Sequence, residues 1–247
     1  SSRRLIGVCI TTFRAIPFSM RMRVAALCSG GKDSSYALWL AVKRGHEVAQ
    51  VVAMIPARED SWMFHTQNIR LIDLFAECVG LPLLKAETSG EPEREVEDLK
   101  LALGRLEVDG VVSGAVASNY QRSRIDRVCR ELQLQHLAPL WGREPEQLLR
   151  EMLRAGMDII IISASAYGFD ESWLGRKLDE VAVEDLLGLN RKYGINMLGE
   201  GGEYESLVLD APFLHKRIEV LEAERIWRGD SGYLLIRKAE LKDKSGL

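Results

Sequence analysis

Short apolar runs and longer stretches with helical spacing alternate through the first half of the chain. Val24 to Cys28 is an apolar run short enough for a buried parallel strand, and Glu47 to Ile55 is a second, rich in β-branched residues. Between them, Tyr36, Leu38, Leu40 and Val42 lie in a segment with few breakers that Gly45 closes, which predicts a helix of about three turns. Ile69, Ile72, Ala76 and Val79 keep helical spacing until Gly80 and Pro82 stop it. Leu83 to Glu87 reads as a third strand. Val96, Leu99, Leu103 and Leu106 give an amphipathic helix with charges on its other face. Gly110 to Gly114 is a short strand running into a glycine turn, and Ile125, Val128, Cys129 and Leu132 mark the next helix. This alternation predicts an α/β fold with a doubly wound, mostly parallel sheet and ligands at the strand C-termini.

The texture changes near residue 138. Pro139 and the stretch from Gly142 to Pro145 make a domain boundary, so residues 23–138 and 139–247 are expected to form two units, the second a smaller α/β domain. Its pattern predicts a helix through Leu148, Leu149, Met152 and Leu153, then a strand from Ile159 to Ile162. An aromatic and acidic loop, Ser163 to Leu174, leads to a helix through Val183, Leu186 and Leu187. A strand at Leu207 to Leu209 and two antiparallel strands near 217–227 and 233–240 complete it. No internal repeat or low-complexity segment is present.

Composition narrows the class. Of the 247 residues, 47% are hydrophobic and 28% charged, as in a soluble globular enzyme. The net charge of −3 speaks against a general nucleic-acid binder, which needs an excess of Lys and Arg. Cys9, Cys28, Cys78 and Cys129 are scattered with no C-x-x-C pair, which favours reduced thiols and a cytoplasmic location. No apolar run approaches the roughly 18 residues of a membrane span. Residues 1–22 carry Arg3, Arg4, Arg14 and Arg21 and no acid. They read as an N-terminal extension of unknown order, with Met20 and Met22 as natural starts. A homodimer is one open possibility for the oligomeric state.

The chemistry concentrates first at Ser29-Gly30-Gly31-Lys32-Asp33-Ser34, between the first strand and the first helix. Two glycines let the backbone turn several N–H groups toward one point, and the helix dipole adds positive potential there. Ser29 and Ser34 offer hydroxyls, Lys32 a charge, and Asp33 a ligand for the Mg²⁺ that accompanies a nucleotide. The Walker A pattern fails, because Ala26 stands where a glycine is needed and Asp33 where a Ser or Thr is needed. Met54, at the end of the second strand, falls where an adenine ring meets an open α/β sheet, and Gly114 closes the fourth strand beside it.

Three other segments are richer in polar and aromatic groups than a core requires. The first holds Trp62 and His65 just past the second strand. The second runs from Ser118 through Tyr120, Gln121 and Arg122 to Arg124, two arginines suited to phosphate or carboxylate. The third is a pair, Ala166 to Arg176, containing Glu171 and Trp173, and Gly199 to Ser206, containing Glu200, Glu203, Tyr204 and Glu205. Mutual repulsion among the three glutamates calls for a cation, a metal or a proton.

The loop matches S-G-G-x-D-S and resembles the PP-loop of the N-type ATP pyrophosphatases, whose domain is adenine nucleotide alpha hydrolase-like. With the Tyr120-Gln121-Arg122 stretch, Asp170 to Arg176 and Gly199 to Glu203, the chain resembles the diphthine–ammonia ligase family from about residue 23 to 241. The family's acidic motif usually ends in Thr where this chain has Ser206. Archaeal-type members of the family are this short, and eukaryotic ones carry further C-terminal domains. The resemblance implies ATP-dependent amidation of diphthine on elongation factor 2 with ammonium, through an acyl-adenylate, releasing AMP and pyrophosphate. It also implies ATP and Mg²⁺ as cofactors.

The residues divide the labour in a compatible way. Ser29 to Ser34 would hold the leaving pyrophosphate, with Lys32 and a metal on Asp33 neutralising it, while Glu200, Glu203 or Glu205 would bind ammonium and take its proton. His65, Tyr120, Gln121, Arg122, Glu171, Trp173 and Tyr204 form the substrate side. Rings among Trp62, Tyr120, Tyr167, Phe169, Trp173 and Tyr204, with a nearby carboxylate, are expected to cage diphthine's trimethylammonium. The cysteines lack a glutaminase context, which points to free ammonium. The competing readings are a PP-loop tRNA-modifying enzyme, for which paired cysteines and basic charge are missing, and a nucleotide-binding module without turnover.

Overall fold

The computed structural model describes residues 21–56, 68, 70–89 and 91–244. His65, Trp62, Cys9 and nearly all of the expected extension lie outside the described residues. Five strands, β1 (Arg23–Leu27), β2 (Glu47–Pro56), β3 (Leu83–Thr88), β4 (Gly110–Val112) and β5 (Gln135–Leu137), pair in parallel in the order β3-β2-β1-β4-β5. Helices α1 (Lys32–Lys43), α2 (Arg70–Val79), α3 (Pro92–Leu103) and α4 (Asn119–Glu131) make the crossovers.

The strands are apolar on both faces because both are covered. Val24 and Ala26 of β1 pack with Leu38, Ala41 and Phe75 from α1 and α2. Ala25 joins Val96, Leu99, Ile125 and Val128 from α3 and α4. The chain winds one way from β1 to β2 and the other way to β4, so a crevice opens where the strand order reverses. Helix α1 buries Tyr36 and Leu38 of the expected apolar positions together with Ala37 and Ala41, and leaves Val42 exposed. The small alanines let the helix approach the sheet, which apolar size alone does not reveal. The three-residue β5 was unforeseen.

The second half contains α5 (Pro145–Arg154), β6 (Asp158–Ala164), α6 (Glu180–Tyr193), β7 (Tyr204–Asp210), β8 (Lys216–Arg228) and β9 (Ser231–Asp243). Its sheet is antiparallel in the order β7-β6-β9-β8. Successive residues of β6 face opposite ways, Ile159 and Ile161 toward Leu148, Met152 and Leu186, and Ile160 and Ile162 toward Leu207, Leu234 and Ile236. Strands β8 and β9 form a long hairpin closed by Gly229 and Asp230, where Gly229 takes φ +64.

The two sheets share a core. One cluster of buried side chains runs from Val24, Leu38 and Phe75 through Leu148 and Ile159 to Val208. Backbone bonds add to this: the Val208 N–H donates to Gly30 O at 2.9 Å, and the Lys32 N–H donates to the Ser206 hydroxyl at 3.2 Å. Strand β7 is thereby seated against the glycine loop. No helix among the described residues is long and apolar enough to cross a membrane.

Candidate active site

The loop from Ser29 to Ser34 shapes itself with short-range bonds. Gly30 takes φ +85, a conformation that side chains resist, and turns the chain out of β1. The Ser29 hydroxyl accepts from the Gly31 N–H at 3.3 Å. The Ser34 hydroxyl accepts from the Ser29 N–H and donates to Gly31 O, both at 3.3 Å. The N-cap of helix α1 is Gly31, which has no side chain to cap it; Ser206 takes the Lys32 N–H, and the N–H groups that follow are left for an anion. Gly114 lies hard against this turn. A Cβ there would stand 2.6 Å from Ser34 N and 2.8 Å from the Asp33 carbonyl carbon, so only glycine fits.

Lys32 does not hang over the loop as an exposed cation. It is 2% exposed, and its Nζ donates to Leu198 O at 2.6 Å and to Asp33 Oδ2 at 3.0 Å, with the Tyr204 ring centroid 4.9 Å away. Burial works against its charge, but Asp33 and Tyr204 together outweigh burial and hold the ammonium above its ordinary pKa. Burial likewise pushes the Tyr204 phenol up to about 12, and its hydroxyl donates to Met197 O at 2.7 Å.

Asp33 is the unbalanced member. Its Oδ2 takes Lys32, while Oδ1 is buried and has no hydrogen-bond partner. Burial pushes this carboxyl above the usual range against the pull of Lys32, and the charge of Glu200 pushes the same way as burial. An orphaned carboxylate oxygen on a residue that lines a cavity is the kind of donor a hard cation takes, so Asp33 fits Mg²⁺. Among the described residues no cluster of three His, Cys, Asp or Glu could hold a metal alone.

The cavity above the loop has a volume of about 540 Å³ and lies at the C-terminal ends of β1, β2 and β4. Leu27, Val52, Met54, Val96, Leu99 and Ile125 make an apolar wall suited to a base. Leu198 to Glu200 and Tyr204 to Ser206 close the opposite side.

The three glutamates are not a free acidic cluster. Glu200 Oε1 accepts from the Val116 N–H at 3.0 Å and the Ala117 N–H at 3.1 Å. Glu203 accepts from Asn196 N–H at 3.0 Å and Gly201 N–H at 2.8 Å. For Glu200 and Glu203 the expected repulsion is relieved by backbone donors that lie far from the loop or were hidden in it. Of the pair, Glu200 lines the cavity, and so does Glu205.

The remaining expected site residues separate. Tyr120 and Gln121 line the cavity. Tyr120 is 60% exposed with the Arg124 guanidinium 3.8 Å over its ring. Arg122 faces elsewhere, stacking 4.3 Å over Trp141 and pairing with Asp126. Glu171, exposed in a short 3-10 turn, borders a second depression with Arg225 and Leu234. Trp173 is 5% exposed and packs 4.9 Å from Phe169, which in turn lies 6.0 Å from Tyr204. The expected cage rings Phe169, Trp173 and Tyr204 therefore pack on one another inside the protein, because a buried aromatic cluster gains more from mutual contact than from solvent.

Several lining residues carry no sequence signal of their own. Thr88, Glu95 and Ser113 reach the cavity because they stand at strand ends or in a helix first turn at the sheet's C-terminal edge. Glu95 pairs with Arg124 at 2.6 Å across the α3–α4 wall. The rule that ligands sit at that edge could have found them. The buried thiols Cys28 and Cys129 are pushed up to about 12 by burial, and Cys78 to about 11, so among the described residues no thiol is a nucleophile.

Comparison with known proteins agrees with this architecture. The family model of the diphthamide synthase N-terminal domain matches residues 22–136, and that of the C-terminal domain matches 144–241. A diphthine–ammonia ligase from Bos taurus is 39% identical, over 90% of this chain and 94% of the relative, and that of Homo sapiens is 38% identical with the same coverage. The one from Schizosaccharomyces pombe is 37% identical over 90% of this chain but 40% of its own length. Shortness thus does not set an archaeal type apart, because the vertebrate relatives are matched nearly end to end. A solved structure titled predicted subunit of tRNA methyltransferase, from Methanocaldococcus jannaschii, aligns at a TM-score of 0.40 and 16% identity, over 77% of this chain and 98% of that one, too distant to add to the argument. With both domain models matched in order across the two sheets that wall the cavity, the chain belongs to the diphthamide synthase family.

Proposed function

We propose that this protein is an ATP-dependent diphthine–ammonia ligase, which amidates the diphthine side chain of elongation factor 2 with ammonium and acts in the cytoplasm. The observation that carries the reading is a cavity of about 540 Å³ walled by both the Ser29–Ser34 loop and the 198–206 segment. The loop fits a pyrophosphate, the apolar wall fits an adenine, and the remaining volume faces groups suited to a polar acyl substrate.

The reaction divides between the two walls. The diphthine carboxylate attacks the α-phosphate of ATP to give an acyl-adenylate, and pyrophosphate leaves toward the start of α1, where Gly31 is the N-cap. Lys32, fixed by Leu198 and Asp33, supplies a charge that needs no reorganisation as the leaving group develops. Mg²⁺ would be held by Asp33 and, when bound, neutralises charge on the phosphates. Glu200 latches the 198–206 segment to the start of the turn after β4, so that the acyl and nucleotide sides keep their spacing. Ammonia then displaces AMP. Among the described residues the thiols are buried, so none of them offers a route to nitrogen from glutamine.

The test is turnover of the full chain with ATP, Mg²⁺ and ammonium, with and without the unamidated factor. Pyrophosphate release that requires the factor, with amide formed in equal amount, is the expected result. Release independent of the factor, or none with it, would defeat the reading.

A further inference from the structure

The amide-forming step needs a proton acceptor; of the three expected bases, Glu200 and Glu203 are committed to backbone N–H groups and Glu205 is itself engaged. A different base reaches the cavity. Ser113, buried at the end of β4, lines the cavity next to Gly114, the glycine wedged against the PP-loop. Its Oγ lies 2.6 Å from His136 Nε2, and His136 Nδ1 lies 2.6 Å from Asp126 Oδ1.

The fold builds this chain of three. Strands β4 and β5 pair Val111 with His136 in parallel register, and Ser113, two residues beyond Val111, shares its face. Helix α4 covers that face and brings Asp126 down on it. The His136 side chain is 5% exposed, while that of Asp126 is 37% exposed, so the chain runs from the cavity toward solvent. An ionised Asp126 accepts the Nδ1 proton, which leaves Nε2 as an acceptor. The Ser113 hydroxyl then donates to Nε2, and its free lone pair accepts from the cavity.

We propose that Ser113, His136 and Asp126 form a proton relay for aminolysis, with Ser113 touching the attacking nitrogen and the other two acting through it. The proposal rests on the reaction assigned above. The nitrogen of ammonia forms a C–N bond to the acyl carbon, and the C–O bond to AMP breaks. One nitrogen proton passes to Ser113 Oγ as the serine's own proton passes to His136 Nε2. The imidazolium is held by Asp126 and releases its proton to water. The charged and titratable groups around His136 are few. From α4 come Asp126, Arg122 at 3.5 Å from Asp126, and the protonated Cys129 thiol; Arg124 and Glu95 form a pair on the adjoining wall. Lys32, Asp33, Glu200 and Glu205 border the same cavity.

Two half-reactions separate this role from a structural one. ATP–pyrophosphate exchange dependent on the unamidated factor reads adenylation, and amide formation with ammonium reads aminolysis, each followed against pH in the full chain. His136→Gln and Ser113→Ala are each expected to slow aminolysis about 100-fold. Exchange should hold within about threefold. His136→Gln should also change the pH profile of aminolysis while leaving that of exchange as it is. Should His136→Gln fail to fold, Ser113→Ala removes a single oxygen and carries the same test. Unchanged aminolysis, or equal losses in both half-reactions, would overturn the relay. No factor-dependent exchange in the unsubstituted protein would defeat the assigned reaction, and the relay with it.

Discussion

The two carboxylate-bearing segments that wall the cavity are held in opposite ways. The Ser29–Ser34 loop ties its own hydroxyls to its own backbone and leaves Asp33 Oδ1 buried without a partner. The Gly199–Ser206 segment does the reverse, giving the carboxylates of Glu200 and Glu203 to backbone donors at Val116, Ala117, Asn196 and Gly201. A satisfied carboxylate fixes architecture, and an unsatisfied one marks where a ligand brings a cation. Sequence reasoning treats both segments as equally catalytic; their hydrogen bonds distinguish them.

The largest effect that would break this contrast is at Asp33. Asp33→Asn keeps the shape but removes the charge, and turnover should fall at least ~100-fold, or about 2.7 kcal/mol in the barrier. Near-normal turnover in a folded variant would mean that Asp33 is not the metal ligand. Next comes Trp173, where Trp173→Leu should cost roughly 2 kcal/mol of stability by denaturant unfolding, because the ring is packed against Phe169. Weakened factor binding at unchanged stability would restore Trp173 to the substrate surface. Glu203→Ala should lower stability by about 1.5 kcal/mol through two lost charge-assisted bonds, with amide formation reduced only as folding is reduced. A turnover loss beyond that would make Glu203 a chemical group and erase the contrast. The smallest effect is at Tyr120, already engaged by Arg124 and open to solvent. Tyr120→Leu should weaken ATP or factor binding by no more than about 1 kcal/mol in titration calorimetry.

Legibility in the sequence followed the range of the interactions. The PP-loop could be read because its bonds close within six consecutive positions between a strand and a helix, and the parallel order followed from the alternation of apolar runs. Features set by distant partners could not. Lys32 can be buried because the carbonyl of Leu198, 166 residues away, accepts a hydrogen bond from its ammonium. Trp173 looked like a loop residue because its neighbours are acidic, yet Phe169 and Tyr204 draw it inward. Strand β5 is three residues long with a polar centre, so no periodicity announces it, and the Ser113–His136–Asp126 chain depends on it.

The central claim is that the loop holds pyrophosphate as a unit while chemistry proceeds at the α-phosphate. Chromatography of the nucleotide products formed with ATP, ammonium and the unamidated factor tests this most directly. The account predicts AMP and pyrophosphate in equal amounts, matched to the amide formed. ADP and phosphate as the stoichiometric products would contradict it.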